Sequence, residues 1–399
     1  MHQKRTRKAA IDFKAMLDYT DIIKYEKKVA GYMMRKIDRG YETMTSKERF
    51  LRTVNYEKPD RVPINYHSNP GVDGRLKQYF GLSADDSEGL FNALGVDFRG
   101  VGAPYTGAPL HISRRPDRQV EPQYGWVLRY IEHESGGYWD YCDFPLMDAD
   151  EETVAAWQFP NPDDFDYGSP KDRVKAKSGF AVHLGGAGLG CIINTAGFLR
   201  GMEQTLVDLI TVDPAGLLLI KKMMDFQYGV LERELDAVGN DVDFVWMGED
   251  LGTQHTPLIG MDLLKKHILP VHEKFIGLAA SYNLPVLMHT CGSSSWAYEE
   301  YIKIGLAGVD TLQPEAMNMT PRYLKDTFGG RLFFHGCIST AGPLAFGTAA
   351  ETVDNCKEVM DIMMPGYGYC FSPTHQLQDN SPTENVVAAY ETAHAYGRY

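Results

Sequence analysis

Short runs of β-branched and aromatic residues alternate with longer helix-like stretches from residue 61 to the C-terminus. Between the runs, stretches such as TPRYLKDTF and AAETVDNCKEVMDIMM carry apolar residues at helical spacing. Such alternation is typical of a parallel sheet built from βα units. We count eight runs, which begin at residues 61, 97, 180, 242, 284, 308, 331 and 367. Eight repeats, with no G-x-G-x-x-G turn after the first, predict an α/β fold of the (β/α)8 TIM-barrel type.

The two ends of this pattern differ in character. Residues 1–48 are helix-compatible with a basic excess, and they lead into Thr45-Ser46-Lys47-Glu48, the spacing of a helix capping box. We therefore expect an N-terminal helical extension over residues 1–48, acting as a flap or an oligomer arm. The barrel domain is expected to span residues 49–399.

The stretch from about residue 104 to 180 is too long for one helix. It contains YGWVLRYIEHESGGYWDY, which alternates like a β-hairpin around a Gly136–Gly137 turn. The sequence predicts a β-rich excursion after the second strand. Its aromatic residues either cover a pocket or form a small core of their own, and they are Trp126, Tyr138, Trp139 and Tyr141.

Composition narrows the class of protein. The chain of 399 residues is 44% hydrophobic and 23% charged, as ordinary globular proteins are. Its net charge of -13 argues against nucleic acid as a partner. The sequence contains no apolar run of about 18 residues and no secretory signal, so we expect a cytoplasmic protein away from membranes. Six cysteines are too sparse for a disulfide framework, so a special cysteine would be a ligand or a nucleophile.

Functional groups of a barrel cluster where its strands end. Glu249 and Asp250 end the fourth run, and we expect the catalytic group there. Because successive strand residues point to opposite faces, only one carboxylate is expected to face the pocket, and we favour Asp250 over a plain helix-capping role. The substrate-binding residues expected at the other strand ends are His67, Arg99, His183, Gln313 and His335.

The sequence also predicts a metal site. His289 and Cys291 lie two residues apart on one strand, so both side chains point to the same face and can share an ion. Thiolate ligation favours zinc over magnesium or calcium. The spacing alone is weak evidence, because His335 and Cys337 repeat it and either pair could be structural. Either Cys370 or His375 could complete the ligand set.

Several motifs, in order, resemble those of the uroporphyrinogen decarboxylase-like superfamily, which also contains zinc-dependent, corrinoid-linked methyltransferases. The resemblance runs from about residue 45 to the C-terminus. It is carried by the segments MTSKERFLRTVNYEKPDRVPINY, ALGVDFRGV, GEDLGTQ, LMHTCGS, FHGCISTAGPLAFGTAAETV and SPTHQLQDNSPTENVVAAYETA.

The superfamily contains two activities that differ in their motifs, and the motifs of this chain distinguish between them. Uroporphyrinogen decarboxylases carry an Arg-Gln-Ala-Gly-Arg motif after the first strand to bind a carboxylate-rich tetrapyrrole, and this chain has HSNPGVDGRL there. Methyltransferases of the superfamily bind zinc with a His-x-Cys pair and a later cysteine. The pair falls on His289 and Cys291, and the later position lies nearer His375 than Cys370.

The function implied is a zinc-dependent methyltransferase that moves a methyl group between a small substrate and a corrinoid (cobalamin) protein. An aromatic barrel mouth favours O-demethylation of a methyl ether, and its residues are Tyr105, Trp126, Trp139 and Trp296. One alternative is decarboxylation of a porphyrinogen or another acid, using Asp97 or Asp250. A second alternative is a non-catalytic corrinoid-binding barrel. A homo-oligomer stays open.

Overall fold

A computed structural model of the protein describes residues 36–113, 115–133 and 136–399. At its centre lies a curled, parallel, seven-stranded sheet in the order β1-β5-β6-β7-β8-β9-β10. The fold is therefore α/β, as the alternating pattern predicts. The strands are β1 Phe98–Gly100, β5 Ala181–Gly185, β6 Phe244–Gly248, β7 Val286–Thr290, β8 Gly308–Thr311, β9 Phe333–Ile338 and β10 Tyr369–Pro373.

The first predicted run lies between the two edges of this sheet. On one side, Phe371 in β10 donates its backbone N–H to the Pro63 carbonyl and accepts from the Asn65 N–H. On the other side, the Asp97 N–H donates to the Ile64 carbonyl at 2.8 Å. The run does not form a regular strand because Pro63 has no N–H and the Ile64 N–H is bound by the Asp97 carboxylate. All eight predicted runs thus contribute to the curled sheet.

Helices cover the outside of the sheet and connect its strands. Among the described helices, none is both long enough and apolar enough to span a bilayer. A π-helical turn, Leu264–Ile268, joins α9 to α10. The helices are α1 Ser46–Val54, α2 Pro70–Phe80, α3 Ser87–Leu94, α4 Glu151–Ala156, α5 Ser169–Ala176, α6 Ile193–Arg200, α7 Met202–Thr211, α8 Pro214–Val238, α9 Met261–Leu263, α10 Leu269–Ser281, α11 Tyr298–Lys303, α12 Pro321–Phe328, α13 Pro343–Phe346, α14 Ala349–Met363 and α15 Thr383–Tyr396.

Helix α1 closes the end of the sheet at which the strands begin. Its first turn has the predicted capping box, in which Thr45 and Glu48 each bond the other's backbone N–H. One turn later, the Phe50 ring is fully buried and lies 5.4 Å from the Phe98 ring and 4.7 Å from the Phe244 ring. The site must therefore lie at the opposite end.

A buried ion-pair network also lies at this closed end. The Asp97 carboxylate is fully buried and bonds Arg49 and Arg61, each at 2.6 Å. Burial alone would raise the pKa of Asp97, but the two guanidinium groups lower it to about 2. Asp97, considered above for decarboxylation, is thus fixed between two arginines. It holds α1 to the sheet rather than facing a substrate.

Most of the predicted N-terminal extension, residues 1–35, lies outside the described residues. In its described part, residues 36–48, there is no helix before Ser46, where α1 begins.

The predicted excursion contains a three-stranded antiparallel sheet. Strand β3 pairs Glu132 with Gly137 and His133 with Gly136, so the glycines begin β4 and the predicted Gly136–Gly137 turn is wrong. The excursion packs on the barrel because Tyr141 stacks on a ring of α6 with centroids 3.5 Å apart. Its strands are β2 Gln119–Val120, β3 Val127–His133 and β4 Gly136–Tyr141.

Candidate metal centre

Three side chains converge where β7 and β10 end. His289 lies near the end of β7, Cys291 follows that strand directly, and His375 follows β10. One donor atom from each lies within 4.8 Å of the other two. The Cys291 Sγ is 3.4 Å from His289 Nε2, and the ring centroids of His289 and His375 are 5.6 Å apart. Two imidazoles and one thiol at such distances form a suitable donor set for a zinc ion.

Cys370 is not part of this group. It lies near the start of β10, pairs with His335 in β9, and packs fully buried in the apolar cluster around Phe50. Burial raises the pKa of its thiol well above the usual value. Of the two predicted third ligands, the chain brings His375 to the site and directs Cys370 into the core at the closed end.

Asp310 orients the first histidine of the centre. Its carboxylate accepts a hydrogen bond from His289 Nδ1 at 2.8 Å and another from His335 Nδ1 at 2.6 Å. With Nδ1 donating to Asp310, His289 is left with Nε2 to bind a metal. Burial opposes both charges, yet the interaction between the imidazoles and the carboxylate raises the pKa of His289 and holds that of Asp310 well below its usual range.

Sequence reasoning missed Asp310. The available signal was the position of the residue within Gly308-Val309-Asp310-Thr311, a short buried strand that is otherwise uncharged. A carboxylate inside such a strand needs fixed hydrogen-bond partners, because an unpaired buried charge is strongly disfavoured. The polar residue expected at this strand end was Gln313, which lies three residues after Asp310, where the strand has already finished.

The turn after β7 is held by two hydrogen bonds to its backbone. The backbone N–H of Cys291 donates to Asp250 Oδ1 at 2.9 Å, and that of Gly292 donates to Gln313 Oε1 at 2.6 Å. Gly292 has φ +68°, and a Cβ there would collide with the Gly252 carbonyl, so the turn requires glycine. Asp250 and Gln313 therefore position the thiol ligand, and Gln313 supports backbone rather than lining a cavity.

Glu249 is fully buried beside Asp250. It accepts hydrogen bonds from the backbone N–H groups of Ile192 and Ile193 at 2.7 and 3.1 Å. Burial raises the pKa of Glu249 to about 8. Both residues border the same cavity, but Glu249 is fully buried with its carboxylate bonded to backbone, whereas Asp250 is partly exposed. That only one of the two carboxylates faces the pocket stays a prediction.

Two cavities meet at His289 and His375. The outer chamber, of about 600 Å³, lies between the excursion and the barrel, and its aromatic wall consists of Tyr124, Trp126, Tyr141, Phe165, Phe198 and Phe226. The inner chamber, of about 240 Å³, lies deeper and is bordered by His67, His183, Trp246, Asp310 and Thr374 among others. His289 and His375 border both chambers. Within the described ranges, no lysine or arginine lines either one.

The remaining predicted substrate residues separate into two groups. His67 and His183 line the inner chamber. His335 is fully buried between Asp310 and Asn65 and lines neither chamber. Arg99 faces away from both, because it lies on the outer side of β1, where it bonds Glu88 at 2.7 Å. The prediction of Arg99 as a substrate residue is therefore not supported by its position.

The predicted aromatic mouth is only partly present. Trp126 lines the outer chamber. Tyr105 packs its ring on Phe165, Trp139 is 44% exposed on the excursion, and Trp296 donates its indole N–H to a backbone carbonyl. The aromatic wall therefore comes largely from other residues of the excursion and from α6 and α8.

Comparison with known proteins identifies a matching family and solved structures with a similar fold. Residues 174–396 match the uroporphyrinogen decarboxylase (URO-D) family. A solved structure, described as a methyltransferase from Methanosarcina mazei, has a similar fold with a TM-score of 0.59 and 15% sequence identity. The similarity covers 88% of this chain and 98% of that one, and at this identity it concerns the fold. No curated protein matches the sequence.

Proposed function

Because the chain belongs to the uroporphyrinogen decarboxylase (URO-D) family, we propose a function within that family, namely zinc-dependent methyl transfer between a small substrate and a corrinoid protein. The observation that carries this proposal is the convergence of His289, Cys291 and His375 within 4.8 Å. The methyltransferase fold neighbour agrees with it.

The donor set fits zinc. Asp310 leaves His289 with Nε2 free for the metal, and Cys291 supplies a soft sulfur ligand. Three protein ligands with one position left for substrate is the usual arrangement of catalytic zinc. When bound, zinc would supply Lewis-acid polarisation of a methyl ether oxygen, or stabilisation of a thiolate if the substrate is a thiol.

The chain's own residues prepare the ligands. Burial raises the pKa of the Cys291 thiol, so the thiol must release its proton when it becomes a ligand. The pKa of Asp250 is lowered, because the charge on His289 and the hydrogen bonds from Asn194 and Cys291 outweigh burial. A charged Asp250 therefore holds the Cys291 backbone in place.

The charged residues around the two chambers argue against a porphyrinogen as the substrate. A carboxylate-rich tetrapyrrole needs arginine or lysine partners, and the part of the chain that the structure describes places neither at a chamber wall. The outer chamber is instead bordered by the acidic residues Glu234, Glu249 and Asp250. These observations favour methyl transfer over decarboxylation of such an acid.

The aromatic wall of the outer chamber supports a methoxylated aromatic substrate. Trp126, Tyr141 and Phe165 border a cavity that also contains His289 and His375. An aryl ring stacked on this wall could place its methyl ether beside the candidate metal ligands. The corrinoid protein is proposed from the resemblance of the motifs, and it would approach from the open side of this chamber.

Metal analysis and a methyl-transfer assay test the proposal together. The purified protein should contain zinc, and it should transfer methyl groups from a panel of methoxylated compounds to reduced cobalamin, followed by the cobalamin absorbance. His289→Ala should abolish both properties. His255→Ala, an exposed histidine on the loop after β6, is the matched control and should retain both.

Protein without zinc, together with full activity after His289→Ala, would overturn the proposal. Decarboxylation of uroporphyrinogen by the wild-type protein would point to the alternative activity. Corrinoid-protein binding that survives Cys291→Ala, with no turnover of any substrate, would instead favour the non-catalytic barrel.

A further inference from the structure

The inner chamber contains buried polar atoms that lack partners. The indole Nε1 of Trp246 and the Nδ1 of His183 are fully covered, and neither has a hydrogen-bond partner within the described residues. Both side chains line the inner chamber, and Trp246 is 4% exposed. Buried polar atoms are nearly always bonded in native proteins, and an indole N–H can only donate. The Trp246 N–H therefore indicates a ligand that carries an acceptor atom.

A series of hydrogen bonds determines which ring nitrogen of His67, a second side chain in the chamber, carries its proton. The Asn65 Oδ1 accepts from the Tyr66 backbone N–H, so the Asn65 amide nitrogen must face the histidines. That nitrogen lies 3.0 Å from His335 Nε2 and 3.1 Å from His67 Nε2. Since His335 donates its Nδ1 proton to Asp310, its Nε2 accepts one amide proton, and His67 Nε2 accepts the other.

This series of hydrogen bonds leaves the proton of neutral His67 on Nδ1, the ring nitrogen that Asn65 does not bind. Burial lowers the pKa of His67 to about 3 and that of His183 to about 4, in keeping with neutral imidazoles. The His67 ring meets the Trp246 ring edge to face at 5.1 Å. The chamber thus has two neighbouring N–H donors, one from each ring.

The chamber also lacks a counter-charge for an ionic ligand. Of the described residues that border it, Asp310 and His289 carry charged side chains, and they pair with each other, while the second Asp310 oxygen accepts from His335. No lysine or arginine of this described wall could pair with an anion. A cation would find no free carboxylate. Burying an unpaired charge is strongly disfavoured, so an uncharged ligand fits best.

The size of the chamber limits the ligand further. Its volume of about 240 Å³ is less than half that of the outer chamber and lies below the range of about 300–1,000 Å³ usual for pockets that hold drug-sized ligands. The chamber therefore suits a molecule smaller than a tetrapyrrole or a corrin ring.

We propose that the inner chamber binds a small, uncharged ether or alcohol, whose oxygen accepts hydrogen bonds from Trp246 Nε1 and His67 Nδ1. The proposal rests on the proposed function in one respect, since it identifies the chemical class of the small substrate. His289 and His375 border the chamber, so a ligand held by these donors lies beside the candidate metal ligands.

Three probes of nearly equal size test the charge and the hydrogen bonds. They are 1,2-dimethoxyethane, which is neutral and accepts only, 2-methoxyethylamine, which is a cation, and methoxyacetate, which is an anion. Binding to the full-length, zinc-free protein is measured by ligand-observed NMR without any corrinoid, so that no metal ion can hold a charged probe. We expect 1,2-dimethoxyethane to bind at least about tenfold more tightly than either charged probe, since each charged group would lose its hydration without a partner.

Variants then locate the binding. Trp246→Phe keeps an aromatic ring and removes the N–H, and it should weaken 1,2-dimethoxyethane binding about tenfold. His67→Phe should have a similar effect and serves if the first variant does not fold. Trp139→Phe, on the exposed face of the excursion, is the matched control and should bind like wild type.

No binding of 1,2-dimethoxyethane at 100 mM, tighter binding of a charged probe, or unchanged binding in the folded variants would each overturn this inference. Because no methyl transfer is measured, the result is independent of the proposed function. Methyl transfer without binding in the inner chamber would overturn only this inference. Binding without methyl transfer would overturn only the proposed function.

Discussion

The chain contains the same His-x-Cys spacing twice, and the two copies have different environments. His289 and His335 lie on β7 and β9, on either side of β8, and each donates its Nδ1 proton to one oxygen of Asp310. Their cysteines differ. Cys291 is partly exposed and lies 3.4 Å from His289 Nε2, whereas Cys337 is fully buried in the main apolar core.

The difference comes from where each strand ends. Strand β7 ends at Thr290, so Cys291 lies one residue beyond the sheet. Strand β9 continues to Ile338, so Cys337 is still paired with β10, opposite Ser372. The second imidazole nitrogen also differs in its partner, since His335 Nε2 meets the Asn65 amide. Of the two pairs in this chain, the candidate for a metal site is therefore the one whose strand ends between its two members.

The largest expected effect is the loss of zinc from the first pair. Cys291→Ser replaces a thiolate ligand by a hydroxyl, which binds zinc poorly, so zinc affinity should fall by more than about 100-fold. The melting temperature of the metal-free protein should change little, because Cys291 is partly exposed. Competition with a chromophoric chelator measures the affinity. Wild-type affinity in this variant would place Cys291 with Cys337 as a structural residue.

A smaller effect is expected at the carboxylate that the two pairs share. Asp310→Asn keeps the shape of the side chain but leaves one oxygen for two imidazole N–H donors. Loss of such an orienting partner weakens zinc binding by about 10- to 100-fold. The same chelator titration measures it, with Asp243→Asn as the control. Asp243 is a buried aspartate that bonds Lys47 at the closed end, so its variant should keep zinc. Equal affinities in the two variants would show that Asp310 does not orient the ligand.

The fold could be predicted from the sequence because its signal repeats. Each of the eight predicted runs lies within the sheet or joins its edges, since alternation of buried strands and helices is a local property of the chain. The His289 and Cys291 pairing could be predicted for the same reason, because two residues on one strand share a face.

The parts that failed depend on contacts between distant segments. Arg99 was expected at a strand end, but strand register turns it outward to Glu88. Cys370 could not be separated from His375 by spacing, because the choice depends on how deep β10 begins in the barrel. Asp310 acts through two histidines that lie 21 and 25 residues away in the sequence. No local pattern records such a contact.

The smallest effect is expected at Cys337. Its variant should lose stability and keep zinc, which is the reverse of what we expect at Cys291. Cys337→Ser should keep wild-type zinc affinity, because Cys337 does not belong to the group of donor atoms at His289. It should lower the free energy of unfolding by about 1–3 kcal/mol, since it places a more polar hydroxyl at a fully buried position of the main apolar core. Denaturant titration of the metal-free protein measures the loss. Cys337→Ala, which adds no hydroxyl, separates this penalty from the loss of volume. If Cys337→Ser instead released zinc at unchanged stability, the two pairs would share one function, and the position of the strand end would not distinguish them.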